Sequence, residues 1–95
     1  MAYLGWELEC DVIDMINREA YYAFNRTIGF RDTEIVDYET DEILECFELN
    51  FLNKDKNTEI VDYLKRKMAD FGLKFERLDK GTWLGEVQYK LYFTL

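Results

Sequence analysis

The sequence contains no histidine, no serine and no proline. Without histidine and serine, the chain cannot form a Ser-His-Asp triad, a Cys-His nucleophile pair or a zinc site with histidine ligands. Its two cysteines, Cys10 and Cys46, are too few for a zinc site made of four thiolates. Neither GxxxxGKS/T nor GxGxxG occurs, so the phosphate-binding loops of many nucleotide enzymes are also missing. These absences favour a protein that is not an enzyme and carries no cofactor.

Carboxylates, lysines and tyrosines remain as chemically active side chains, but no pair of them is spaced as an acid/base couple. A metal-dependent carboxylate enzyme is therefore one alternative. A structural or self-assembling module is another.

No run of apolar residues approaches the roughly 18–20 that cross a membrane. The first residues, MAYLGWELECD, carry acids where a secretory signal would carry basic residues. We therefore expect a soluble, cytoplasmic protein that does not bind membranes. Cys10 and Cys46 would be reduced there, but both fall on predicted strands, so a disulfide between them stays open.

The hexapeptide TEIVDY occurs twice, at residues 33–38 and 58–63. Beyond the first copy, apolar residues alternate and predict a hairpin over residues 33–51: Ile43, Phe47, Leu49 and Phe51. Beyond the second copy, apolar residues recur at helical spacing: Ile60, Leu64, Met68 and Phe71. Asn57 or Thr58 would cap this helix and Gly72 would end it. The hexapeptide is thus predicted to be a strand first and a helix second, and it does not mark a structural repeat.

Three further segments complete the predicted fold. Residues 4–10 alternate as a half-buried strand, and Asp11 would cap a helix whose apolar face is Ile13, Ile16, Ala20 and Phe24. Residues 73–78 predict a strand, residues 79–82 a turn, and residues 83–95 a last strand with Trp83 and Val87 on its inner side. The order βαββαββ predicts one α+β domain over residues 1–95. We expect an antiparallel or mixed sheet of five strands with two helices on one face, a ferredoxin-like arrangement.

The net charge of −8 comes entirely from residues 32–53, which include the predicted hairpin. Residues 32–53 contain no lysine or arginine but eight acids: Asp32, Glu34, Asp37, Glu39, Asp41, Glu42, Glu45 and Glu48. The rest of the chain has 12 acids and 12 bases. A solvated hairpin end that protects its strand edge would explain the cluster without any function.

A functional interpretation is that the eight acids contact a basic partner. Side chains two apart on a strand lie about 6.6 Å apart on one face, so Asp37, Glu39 and Asp41 would be spaced like successive phosphates of a nucleic acid. We therefore predict a non-enzymatic inhibitor that masks the nucleic-acid-binding site of another protein. Small acidic proteins of this kind are common among viral anti-defence proteins of the anti-CRISPR or anti-restriction type.

A calcium loop is a competing interpretation of the same acids. Residues 37–48 place Asp37, Glu39, Asp41, Glu45 and Glu48 at spacings that match much of such a loop. Glu42, however, stands where the loop needs glycine for its sharp turn. We therefore predict no metal site.

Two further expectations concern direct nucleic-acid binding and self-association. Lys65, Arg66 and Lys67 form a short basic run on a helix exterior, and the negative chain would repel phosphates, so we expect no direct nucleic-acid binding. The long last strand has no proline and few charges. A strand without such protection is usually either paired on both sides within its own sheet or paired with a strand of a second chain. We favour the second arrangement, a symmetric homodimer, because outward Leu84 and Tyr92 would otherwise gain nothing from their position.

Overall fold

The structure is a computed structural model, and it describes residues 6–95 of the chain. A helical segment, α1, comes first and has three consecutive parts: an α-helix Trp6–Met15, a π-helical stretch Ile16–Ala20 and a last turn Tyr21–Phe24. Strands β1 (Gly29–Val36) and β2 (Ile43–Leu52), helix α2 (Thr58–Asp70), and strands β3 (Lys74–Trp83) and β4 (Glu86–Thr94) follow. The α+β class is therefore confirmed.

The four strands form one antiparallel sheet in the order β1-β2-β4-β3. The predicted five strands and the ferredoxin-like order are not confirmed. Two hairpins, β1–β2 and β3–β4, are connected by α2 and pair with each other through β2 and β4. An antiparallel sheet of this kind can keep one face on the core and expose the other.

The predicted first strand is wrong, because residues 6–10 belong to α1. The rest of that predicted strand, residues 4 and 5, lies outside the described residues. Val12, Ile16 and Ala20 are buried at a spacing of one helical turn, and Leu8 packs against the same core one turn earlier. Over residues 7–10, however, glutamates alternate with apolar residues, so this short window matches a strand equally well.

The start and the face of the first helix also differ from the prediction. Asp11 does not cap the helix but lies exposed within it. Ile13 is 37% exposed, whereas Met15 is buried in the core. Cys10 lies exposed on α1 and Cys46 is buried, and the two cysteines do not form a disulfide.

The two copies of TEIVDY adopt different structures, as predicted. Residues 33–36 belong to β1, whereas residues 58–63 open α2. The Asn57 side chain caps α2 by accepting a hydrogen bond from the backbone N–H of Glu59 at 2.9 Å. Gly72, with φ of 81°, follows the helix in the left-handed conformation that commonly ends helices.

The main core lies between the two helices and one face of the sheet, which we call the helix face. The helices contribute eight buried residues: Val12, Met15, Ile16, Ala20, Ile60, Val61, Leu64 and Met68. Alternate residues of the two central strands complete it: Phe47, Leu49, Phe51, Tyr89, Leu91 and Phe93. The predicted packing of both helices on one face is therefore observed. On the opposite face, called the outer face, Ile35, Cys46 and Tyr92 form a second, smaller buried cluster.

The β3–β4 hairpin turns later than predicted. Residues 79–82 belong to β3, and the turn consists of Leu84 and Gly85, with φ of 51° and 79°. Positive φ at both positions is what a two-residue type I′ turn requires. Trp83 pairs with Glu86 and is 56% exposed, so it does not join the core with Val87.

The last strand is not an edge strand. It pairs with β3 over residues 86–94 and with β2 over residues 88–93, so residues 88–93 are covered on both sides. Of the two arrangements expected for this strand, pairing on both sides within the sheet is the one observed, and the homodimer stays a prediction. Within residues 6–95, no helix is both long and apolar enough to cross a membrane.

Candidate partner-binding surface

Four of the predicted site acids lie on a closed turn between β1 and β2. The backbone N–H of Asp37 donates to the carbonyl of Glu42 at 2.8 Å, and that of Asp41 donates to the carbonyl of Asp37 at 2.8 Å. Asp37 Oδ1 accepts from the N–H of Glu39 at 3.0 Å. Asp41 has φ of 56°, a value that aspartate tolerates better than most residues. Asp37, Glu39 and Asp41 therefore do not form the row of strand residues that the 6.6 Å spacing assumed.

Three further acids lie beside this turn on the helix face of β1 and β2. Asp32 and Glu34 are exposed on β1, and Glu45 is half-buried on β2. Glu34 lies directly opposite Glu45 in the register of the two strands. Two like charges in such a cross-strand position are destabilising. We call the seven acids of the turn and of these strands the acidic end.

The eighth predicted acid, Glu48, is separated from the acidic end. It lies on the outer face of β2, and its side chain is 1% exposed. Arg31 binds it with two nitrogens: Nε lies 2.9 Å from Oε2, and Nη2 donates to Oε1 at 3.1 Å. The hydrogen bond to Glu48 and its negative charge raise the pKa of Arg31. Glu48 is therefore not accessible to a protein partner in this structure.

Exposed apolar residues accompany the acidic end, a feature that the sequence analysis missed. Val36 and Ile43 pair across the two strands and are 44% and 64% exposed. Tyr38 in the turn is 82% exposed, and the Arg77 guanidinium lies 5.5 Å from its ring centre. The alternation of apolar residues in the sequence predicted that Ile43 would join the core residues of β2. In the structure Ile43 lies on the same face of β2 but beyond the end of the core.

The structure gives no support to a calcium loop at residues 37–48. These residues form a turn and a strand, not a loop between helices. Within residues 6–95, no group of three or more aspartate, glutamate or cysteine side chains is placed to hold a metal ion.

The basic run on α2 makes contacts within the chain. Lys67 pairs with Glu19 of α1 at 2.9 Å, and this pairing lowers the pKa of Glu19. The ammonium of Lys65 lies 4.3 Å from the ring centre of Phe75. These cations connect α2 to α1 and β3.

No protein-family model, no curated protein and no solved structure matches the chain.

Proposed function

We propose that the chain is a non-enzymatic inhibitor that binds the basic nucleic-acid site of a partner protein through its acidic end. The observation that carries the proposal is the concentration of seven carboxylates at one end of a single hairpin. Residues 32–53 themselves contain no lysine or arginine. Such a field attracts a positively charged surface and speeds encounter with it.

The exposed apolar residues could contribute binding energy that the carboxylates alone do not provide. Protein interfaces obtain most of their binding energy from a few buried anchors, among which tyrosine is enriched, while the surrounding polar groups exclude water. Tyr38, Val36 and Ile43 are the anchors available at the acidic end. The partner surface is therefore expected to combine basic residues with an apolar depression.

The first experiment compares tagged wild-type protein with a variant in which the turn acids become amides: Asp37→Asn, Glu39→Gln, Asp41→Asn and Glu42→Gln. The asparagines keep the Oδ1 acceptor at position 37 and tolerate positive φ at position 41. A matched control neutralises four exposed helix acids: Glu7, Asp11, Asp62 and Asp70. Both variants lower the magnitude of the net charge by the same amount.

Proteins retained from a cell lysate at low salt are identified by mass spectrometry and then tested one by one. The expected partner is a nucleic-acid-binding protein, with nucleases of restriction and CRISPR systems tested first. It should bind wild type and the helix control but not the turn variant, and its own nucleic acid should displace the inhibitor. A partner that binds the turn variant equally well, or holds nucleic acid and inhibitor together, would contradict the proposal.

A further inference from the structure

The outer face of the sheet contains an open pocket of about 370 Å³, separate from the acidic end. All four strands contribute to its lining, which consists of Arg31, Glu48, Asn50, Trp83, Gln88 and Lys90. Its volume is at the lower end of the range of small-molecule sites. The lining combines two cations, two amides and an indole ring around one buried carboxylate.

The buried carboxylate of Glu48 holds the guanidinium of Arg31 in place. Arg31 itself is 58% exposed, and only its Nε and Nη2 contact Glu48. The pair joins a fully buried carboxylate to a guanidinium that is more than half exposed. Its effect is to fix a cation on the outer face while Nη1 remains outside the pair.

Asn50 is the second residue that holds Glu48. Its amide donates to Oε2 of Glu48 at 2.9 Å. The neighbouring strand approaches so closely that a Cβ on Gly29 would lie 2.5 Å from Oδ1 of Asn50. A larger residue at position 29 would therefore push the amide away from Glu48.

Two side chains of β4 in the pocket have no partner within the described residues. Lys90 makes no ion pair and Gln88 makes no side-chain hydrogen bond within residues 6–95. Asp79 lies opposite Lys90, but Arg77 donates to Asp79 Oδ2 at 3.1 Å. The pocket is therefore positively charged, although the chain has a net charge of −8.

We propose that this pocket binds a nucleoside monophosphate. Its phosphate accepts hydrogen bonds from Arg31 and Lys90. The base stacks on the exposed indole of Trp83, and the amide of Gln88 pairs with the base edge. A mononucleotide is favoured over a nucleic-acid strand because the negative chain repels a polyanion far more than one phosphate group. This site does not depend on the function proposed for the acidic end.

The test is a calorimetric titration with four nucleoside monophosphates (AMP, GMP, CMP and UMP), with their nucleosides and inorganic phosphate as separate probes. At least one nucleotide should bind saturably, about tenfold or more tightly than its nucleoside and than inorganic phosphate, because ring and phosphate are both recognised. Lys90→Gln should weaken binding about tenfold by removing a charge-assisted hydrogen bond. Trp83→Leu should weaken it by a similar factor through lost stacking.

Lys54→Gln is the matched control, because Lys54 is an exposed loop lysine outside the pocket and the change in charge is the same. Its affinity should equal that of wild type. Equal losses in Lys90→Gln and Lys54→Gln would show non-specific charge attraction and overturn the proposal. It would also be overturned by the absence of nucleotide binding at millimolar concentration, or by equal affinity for inorganic phosphate.

Discussion

At the scale of single residues, a buried asparagine organises the connection between the sheet and α2. Asn53 is fully buried, and its Oδ1 accepts from the N–H of Asn57 at 3.1 Å and from the Arg26 guanidinium. Its Nδ2 donates to the carbonyl of Asn57 at 3.2 Å, and its backbone N–H donates to Val87. One residue thus satisfies polar groups from three parts of the chain: its side chain binds Arg26 and Asn57, and its backbone binds Val87.

We expect Asn53→Ala to lower the free energy of unfolding by about 3 kcal/mol, because it leaves several part-buried polar groups unpaired. Asn57→Ala removes only the helix cap and should cost about 1 kcal/mol. Urea unfolding followed by circular dichroism measures both values. If Asn53→Ala costs no more than Asn57→Ala, the Asn53 contacts contribute little.

A second prediction at this scale concerns alkaline pH. Burial, followed by the negative charges of Glu48 and Asp79, raises the pKa of Tyr92, and burial raises the pKa of the Cys46 thiol. Below the ordinary pKa values, about 8.5 for cysteine and 10 for tyrosine, folded and unfolded chains hold these protons equally. As the pH rises above them, the unfolded chain loses its protons first, so stability falls.

Tyr92→Phe keeps the ring but removes the ionisation, so unfolding free energy should fall less steeply above about pH 10 than in wild type. Tyr22→Phe is the control, since Tyr22 is 83% exposed. Urea melts between neutral and alkaline pH give the comparison. Parallel curves for wild type and Tyr92→Phe would show that Tyr92 does not cause the loss.

At the scale of elements, the β3–β4 turn is built from an unfavourable residue. Leu84 has φ of 51°, which strains its backbone. Its side chain is 85% exposed, so packing does not offset that strain. A residue with a Cβ in this region costs about 1–2 kcal/mol, except that asparagine tolerates it better. The sequence Asn-Gly is also the strongest type I′ signal.

Leu84→Asn should therefore raise the free energy of unfolding by about 1 kcal/mol. Leu84→Ala is the matched control, because it removes the exposed apolar side chain but keeps the unfavourable backbone. Thermal and urea unfolding measure the free energy of unfolding of both variants. An equal gain in both would assign the effect to the lost apolar surface and not to the turn.

At the scale of the whole molecule, the charge distribution is uneven, and this has a cost in stability. The acidic end contains seven like charges, while Lys65 and Lys67 of α2 contact Phe75 of β3 and Glu19 of α1. Salt screens repulsion between exposed charges. Stability should therefore increase with salt concentration.

Glu34→Lys places an opposite charge across from Glu45, and we expect it to raise the free energy of unfolding at low salt by about 0.5 kcal/mol. Its stability should also depend less on salt than that of wild type. Asp62→Lys is the control, because it makes the same change in net charge one turn before Lys65 and Arg66. If the function proposed above holds, Glu34→Lys would also weaken partner binding while it stabilises the fold. Identical salt responses in wild type and both variants would contradict the assumed repulsion.

Local signals in the sequence determined the β1–β2 hairpin, helix α2 with its cap and end, and the position of the acidic cluster. The hexapeptide TEIVDY illustrates why: its own preferences are weak, and the residues within a few positions of Asn57 or Ile43 select helix or strand. Capping groups and apolar periodicity act over one or two turns, so they can be recognised without the fold. The accumulation of acids between residues 32 and 53 is likewise a property of the chain alone.

The tertiary structure decided what depends on distant residues. The short alternation over residues 7–10 became helical because Leu8 continues the buried stripe of Val12 and Ile16. Pairing of β4 with β2 turned a predicted edge into an interior strand. The same pairing helps to bury Glu48, opposite Tyr92, which separates this acid from the seven others and places it in the outer-face pocket. Strand partners and burial are set by contacts far apart in sequence, and neither periodicity nor charge counting contains that information.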